Sequence, residues 1–106
     1  MRKILLVEDD RTLSETLIQH LNQNGYHTTF AYTKEDAVTK VRNLKFDLIL
    51  LDITLPDGNG FAVCEEVRQI WVDTRIIFLT AKDLESDILK GYNMGADDYV
   101  TKPFSL

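Results

Sequence analysis

Phe46-Asp47-Leu48-Ile49-Leu50-Leu51-Asp52 is the stretch that decides the fold. A strand with one solvated face alternates apolar and polar side chains. A run that is apolar at almost every position needs cover on both faces, as at the centre of a parallel sheet. This run closes on a single carboxylate, Asp52, after which Pro56-Asp57-Gly58-Asn59-Gly60 breaks the chain. It reads as a central strand whose carboxyl end carries an acid.

Working outward towards the amino terminus, Lys3 to Val7 is a first short apolar strand. Leu13, Leu17 and Leu21 then recur every fourth position as one face of a helix, and Asn24-Gly25 ends it. His27 to Tyr32 reads as a second strand. Thr33-Lys34-Glu35-Asp36 is a capping-box-like start for a second helix with apolar positions Ala37, Val38, Val41 and Leu44.

In the other direction, Phe61, Cys64, Val67, Ile70 and Trp71 mark the apolar face of a third helix. Arg75 to Leu79 is a fourth buried strand, ending at Thr80. Asp83, Glu85 and Asp87 suit the start of a fourth helix, which uses Leu84, Ile88, Leu89 and Tyr92 and stops at Gly95. Asp98 to Thr101 makes the last strand. Such alternation predicts a doubly wound α/β domain, with a parallel sheet, right-handed crossovers and helices on both faces.

The chain has 106 residues, 44% of them hydrophobic and 27% charged, enough for one core, so residues 1–106 read as a single domain. A formal net charge of −5 gives no broad positive field for phosphate backbones or anionic lipid, so neither nucleic acid nor membrane is expected as a direct partner. Met1-Arg2-Lys3 followed by Ile4 to Val7 is no signal peptide, because acidic residues follow at once. No run approaches the roughly 18 apolar residues of a membrane span. Cys64 is the lone cysteine and forms no internal disulfide. A soluble cytoplasmic protein is expected.

In open α/β sheets, chemistry gathers beyond the carboxyl ends of the strands. Here those ends carry Glu8-Asp9-Asp10, Asp52, Thr80 and Thr101-Lys102. If the first and third strands are neighbours, spaced by about 4.8 Å, their carboxylates repel one another unless a cation intervenes. With oxygen donors and neither thiolate nor imidazole at these ends, Mg²⁺ fits and zinc does not. A carboxylate so placed can act as a nucleophile towards phosphorus, with Lys102 supplying positive charge and Thr80 a hydroxyl donor.

The sequence closely resembles the bacterial response-regulator receiver family, from Arg2 to about Phe104. The resemblance is carried by Ile4-Leu5-Leu6-Val7-Glu8-Asp9-Asp10, Asp47 to Asp52, Leu55-Pro56-Asp57-Gly58-Asn59-Gly60, Phe78-Leu79-Thr80-Ala81, and Gly95 to Phe104. Any one motif is weak; the ordered set is specific. It implies a flavodoxin-like five-stranded sheet in the order 2-1-3-4-5.

The resemblance further implies that Asp52 accepts a phosphoryl group from a sensor histidine kinase. Glu8, Asp9, Asp52 and the backbone carbonyl of Thr54 would hold Mg²⁺, with Asp10 a neighbour rather than a ligand. Thr80 and Lys102 would contact the phosphoryl oxygens, and Thr80 and Tyr99 would form the switch pair. A cis Lys102-Pro103 bond would aim Lys102 into the pocket, and Thr54 and Lys82 would tune phosphoryl lifetime. The catalysis implied is limited to the domain's own phosphorylation and dephosphorylation, and the motif from Asp97 to Phe104 is most similar to regulators with winged-helix DNA-binding outputs.

Two departures accompany the resemblance. The chain stops at Ser105-Leu106, where receivers begin a fifth helix, so a C-terminally truncated domain without its last helix or an output domain is expected. Apolar surface beside the fourth and fifth strands would then favour a homodimer or a domain-swapped dimer. Ile88 stands where many winged-helix regulators carry a basic residue of their dimer interface.

Plainer readings compete at each position. Asp52 or Glu8-Asp9 could simply cap helices, and Tyr99 could be a half-buried strand aromatic. Cys64 reads as a small core residue, His20 and His27 as surface residues, and Trp71 as packing against the domain. Two other functional classes also compete. An aspartate-nucleophile phosphohydrolase would want a second acid where Thr54 stands. A flavodoxin-like anion binder, or an unphosphorylated receiver-like module, must tolerate the acidic run Glu8-Asp9-Asp10.

Overall fold

The structure is a computed structural model that describes residues 2–81 and 95–102. In chain order it runs β1 (Lys3–Val7), α1 (Arg11–Gln23), β2 (His27–Ala31), α2 (Lys34–Asn43), β3 (Leu48–Asp52), α3 (Gly60–Ile70), β4 (Arg75–Ala81) and β5 (Asp98–Lys102). The five strands form one sheet, all pairs parallel, in the order β2-β1-β3-β4-β5. This is the expected doubly wound, flavodoxin-like arrangement. The expected fourth helix, the positions Lys82 and Ile88, and the cis Lys102-Pro103 bond lie outside the described residues.

The near-continuous apolar character of β1 and β3 follows from what covers them. Leu5, Val7, Ile49 and Leu51 point to one face and pack with Ala37 and Val41 of α2 and Phe61, Val63, Cys64 and Val67 of α3. Leu6 and Leu50 point to the other face, where Leu13, Leu17 and Ile18 of α1 meet them together with Leu79. Neighbouring side chains on a strand alternate between faces, so both faces of the central strands are used.

The helix ends follow local chemistry. Asp10 caps α1, its side chain accepting from Leu13 N at 3.1 Å. The helix ends in a Schellman pair, Tyr26 N to Leu21 O and Gly25 N to Asn22 O. Gly25 sits there at φ 90°, a left-handed conformation that glycine adopts without strain. Thr33 caps α2 through Asp36 N at 3.1 Å, but the reciprocal half of the expected capping box is replaced: the Asp36 carboxylate turns to Lys40 Nζ at 2.9 Å.

Two expected core positions move outside. Leu44 is the extended C-cap of α2 and is 49% exposed, and Ile70 in the last turn of α3 is 39% exposed. Both helices end before their apolar stripe does. Trp71 follows α3 as its C-cap and donates Nε1–H to Val41 O at 2.7 Å, tying α3 to α2. The break at Pro56 to Gly60 contains a small hairpin, with Thr54–Leu55 paired antiparallel to Gly58–Asn59.

Candidate functional site

Register brings the acidic residues together. Val7 pairs with Leu51 across β1 and β3, so the next residues, Glu8 and Asp52, stand side by side at the ends of their strands. Carboxylate oxygens of Glu8, Asp9 and Asp52 lie within 4.8 Å of one another. Glu8 and Asp52 are buried and Asp9 is exposed, so the cluster opens to solvent on one side. Three carboxylates this close destabilise one another as anions, and an all-oxygen set with one open side suits a hard divalent cation such as Mg²⁺.

The capping alternative for Glu8 and Asp9 gives way to Asp10, whose side chain holds the start of α1 instead. The Glu8 backbone is tied by its N–H to Ala31 O at 3.1 Å. On the other side of β3, Asp52 is in register with Leu79, which makes buried Thr80 the first residue beyond that pair. Thr80 in turn pairs with Thr101, and Ala81 with Lys102, so the strand ends carrying Asp52, Thr80 and Lys102 stand in adjacent order. Tyr99 pairs with Phe78 two residues before Thr80, and its ring packs onto the core.

The loop after Asp52 folds back on it. Thr54 N donates to Asp52 Oδ1 at 3.3 Å, and Gly60 N donates to Ile53 O at 2.7 Å. A Cβ at Gly60 would run into the Asp52 carbonyl oxygen, so only glycine lets α3 start this close to the strand end. Asn59 then caps α3, accepting from Ala62 N at 3.2 Å.

Residues away from this end behave as the plainer readings expected. Cys64 is buried in the core, and burial pushes its thiol up to about 11. His20 and His27 are exposed.

Three structural roles had little or no signal in the sequence. Asp57 reads there only as part of a Pro-Asp-Gly turn, yet its carboxylate accepts from Lys34 N at 2.7 Å and Glu35 N at 3.0 Å at the start of α2. Arg68 lies outside the apolar pattern of α3 and carries no signal of its own in the sequence, yet it bonds Gly95 O from Nε and Nη2, Thr74 O from Nη1, and the Asp97 carboxylate at 3.0 Å. Gly60 is visible as a breaker, but what its missing side chain avoids is set by the return of the loop.

A doubly wound parallel α/β sheet with an acidic cluster beyond the carboxyl ends of its strands defines the class, one whose ligand chemistry gathers at that end. Residues 4–106 match the family model for the response regulator receiver domain, and the chain belongs to that family. A two-component response regulator from Clostridium difficile shares 33% identity at a TM-score of 0.93, covering 99% of this chain and 86% of that one. DrrB of Thermotoga maritima, an OmpR/PhoB homologue, shares 36% identity at a TM-score of 0.88, covering 98% of this chain and 46% of DrrB. A Burkholderia pseudomallei response regulator with a phosphorylated aspartic acid, a calcium ion and citrate shares 26% identity at a TM-score of 0.93, covering 99% of this chain and 62% of that one.

The chain is therefore a receiver domain of the two-component response-regulator type, a phosphorylation-activated switch rather than a conventional enzyme. No helix among the described residues is long and apolar enough to cross a membrane.

Proposed function

We propose that Asp52 is the phosphoryl acceptor, taking its phosphoryl group from the phosphohistidine of a sensor histidine kinase. An Asp52 carboxylate oxygen attacks phosphorus, the P–N bond breaks, and the electron pair leaves on the imidazole nitrogen, which takes up a proton. The carrying observation is the approach of the Glu8, Asp9 and Asp52 oxygens to within 4.8 Å at neighbouring strand ends. The Burkholderia relative, with a phosphorylated aspartic acid and a calcium ion, supports the same reading.

Glu8, Asp9, Asp52 and the backbone carbonyl of Thr54 are the residues that would hold Mg²⁺. Bound there, the ion would neutralise charge on the transferring oxygens. Thr80 donates a hydroxyl and Lys102 a positive charge towards the same oxygens, and Thr80 and Tyr99 carry the change outward as the switch pair. Positioning and charge stabilisation supply most of the catalysis in phosphoryl transfer, so the domain catalyses only its own phosphorylation and dephosphorylation.

The output in this reading is transcriptional, through a winged-helix DNA-binding domain distinct from the domain at 1–106, in the cytoplasm. The resemblance to DrrB supports it. Homodimerisation through the α1-side face of β4 and β5, where Val100 is exposed, belongs to the same reading.

Intact-mass analysis after incubation with phosphoramidate and Mg²⁺ tests it. One hydroxylamine-labile phosphoryl group is expected on the wild type and none on Asp52→Asn. Equal phosphorylation of both would overturn the assignment.

A further inference from the structure

The hairpin that starts at Thr54 is held at both ends. At its base, Thr54 pairs with Asn59 and donates its N–H to Asp52, and Gly60 N bonds back to Ile53 O. At its tip, Asp57 reaches across to a different element. Its Oδ1 and Oδ2 accept from Lys34 N and Glu35 N, residues 23 and 22 positions away in sequence. The Lys34 side chain also lies against the neighbouring Gly58.

The first amides of a helix lack partners within it, and their partial positive charge favours a carboxylate. Both oxygens of Asp57 are used on two successive amides, a charge-assisted pair that fixes the tip in direction as well as distance. The helix has its own cap besides: Thr33 satisfies Asp36 N. The Asp57 bonds thus join two elements, where the Thr33 bond serves only one. The hairpin's ladder consists of two residue pairs, and Leu55 anchors its base in the core; Asp57 ties its exposed tip to α2.

We infer that Asp57 is a positioning residue of the acidic site, holding from α2 the hairpin on which Thr54 sits. Its carboxylate touches neither metal nor phosphate; it limits where the Thr54 backbone can be. The inference rests on the proposed Mg²⁺ set, in which the Thr54 carbonyl is a member. Changing a residue that orients metal ligands from behind typically costs about 10–100-fold in metal affinity or activity.

The test is a Mg²⁺ titration of the wild type, Asp57→Ala, Asp57→Asn and Thr33→Ala, followed by the backbone amide resonances of Asp9, Asp52 and Thr54, with thermal unfolding of each in Mg²⁺-free buffer. Asp57→Ala is expected to weaken Mg²⁺ binding by about tenfold, and Asp57→Asn by less because one acceptor oxygen remains. Thr33→Ala lowers the melting temperature through the same helix but leaves the Mg²⁺ affinity unchanged. Wild-type affinity in Asp57→Ala overturns the inference alone, as does an equal weakening in Thr33→Ala, which would trace the effect to helix stability. Failure of the wild type to bind Mg²⁺ overturns the inference together with the proposed metal set.

Discussion

Phe78 and Tyr99 face one another across β4 and β5 and stack, their ring centroids 5.6 Å apart and their planes 22° from parallel. Phe61 of α3 also packs on Phe78, with centroids 5.2 Å apart. Phe78 is fully buried and joins the two. Phe78→Ala should cost about 3–5 kcal/mol in urea denaturation, and Tyr99→Ala, at the half-buried end of the stack, about 1 kcal/mol. If Tyr99 is the switch aromatic, beryllofluoride must shift its ring resonances and those of Phe78 together; unchanged rings in the activated state would remove Tyr99 from the switch.

The crowding of Glu8, Asp9 and Asp52 makes a prediction about stability without metal. Neutralising one of three carboxylates whose oxygens lie within 4.8 Å removes repulsion, so Asp52→Asn should be more stable than the wild type in EDTA. The gain is on the order of 1 kcal/mol for partly solvated charges at this separation. Mg²⁺ at tenfold excess over its Kd should add about 1.4 kcal/mol to the wild type. Calorimetry with and without Mg²⁺ should show a smaller gain for Asp52→Asn, and equal gains would place the ion elsewhere.

Arg68 holds the approach to β5 to the end of α3. Its guanidinium bonds Gly95 O, Thr74 O and the Asp97 carboxylate, and Asp97 also accepts from Ile76 N at 2.8 Å. Arg68→Ala leaves these carbonyls without their charged donor and should cost about 2–3 kcal/mol. Lysine keeps the charge but not the planar fork, so Arg68→Lys should recover only part of this. Chemical denaturation measures both, and full recovery by lysine would show that charge alone matters.

Acid sensitivity should trace to two exposed carboxyls. The Glu35 N–H, then the Lys34 N–H, hold Asp57 below its ordinary value of 3.8, and the Lys45 ammonium does the same for Asp73. A carboxyl lowered in the folded state contributes stability in full above its unfolded pKa and loses it as pH falls through the folded value. Both contributions are thus complete at neutral pH and disappear on acidification below 3.8. Asp57→Asn and Asp73→Asn should each flatten the acid limb of melting temperature against pH. Added salt should erase more of the Asp73 effect, because that is an exposed ion pair.

Cys64 should report on unfolding. Buried at 0% exposure with a pKa of about 11, its thiol reacts with a disulfide reagent at neutral pH only when the core opens. Labelling rates across a denaturant series should therefore follow the global unfolding free energy. A fast, denaturant-independent rate would show that α3 opens locally.

Residue pattern alone determined the five strands, the first three helices, their alternation and the acids at the strand ends. The run ending in Asp52 had to be covered on both faces, which requires helices on both sides of a parallel sheet. The Thr33 cap was legible because it acts within three residues of itself, whereas for α1 the sequence offered Glu8-Asp9 and the structure uses Asp10. The ends of apolar stripes were less legible: Leu44 and Ile70 continue the helical spacing, but what lies opposite them is solvent.

Tertiary structure alone decided the partners across the chain. That Glu8 lies beside Asp52 depends on the register of β1 on β3, which is set by which side chains interdigitate in the core. That Asp57 serves α2, or that Arg68 serves Gly95, depends on where loops separated by more than 20 residues come to rest. A polar residue carries its chemistry in its own identity, but its hydrogen-bond partner is a matter of distance in space, and only packing sets that distance.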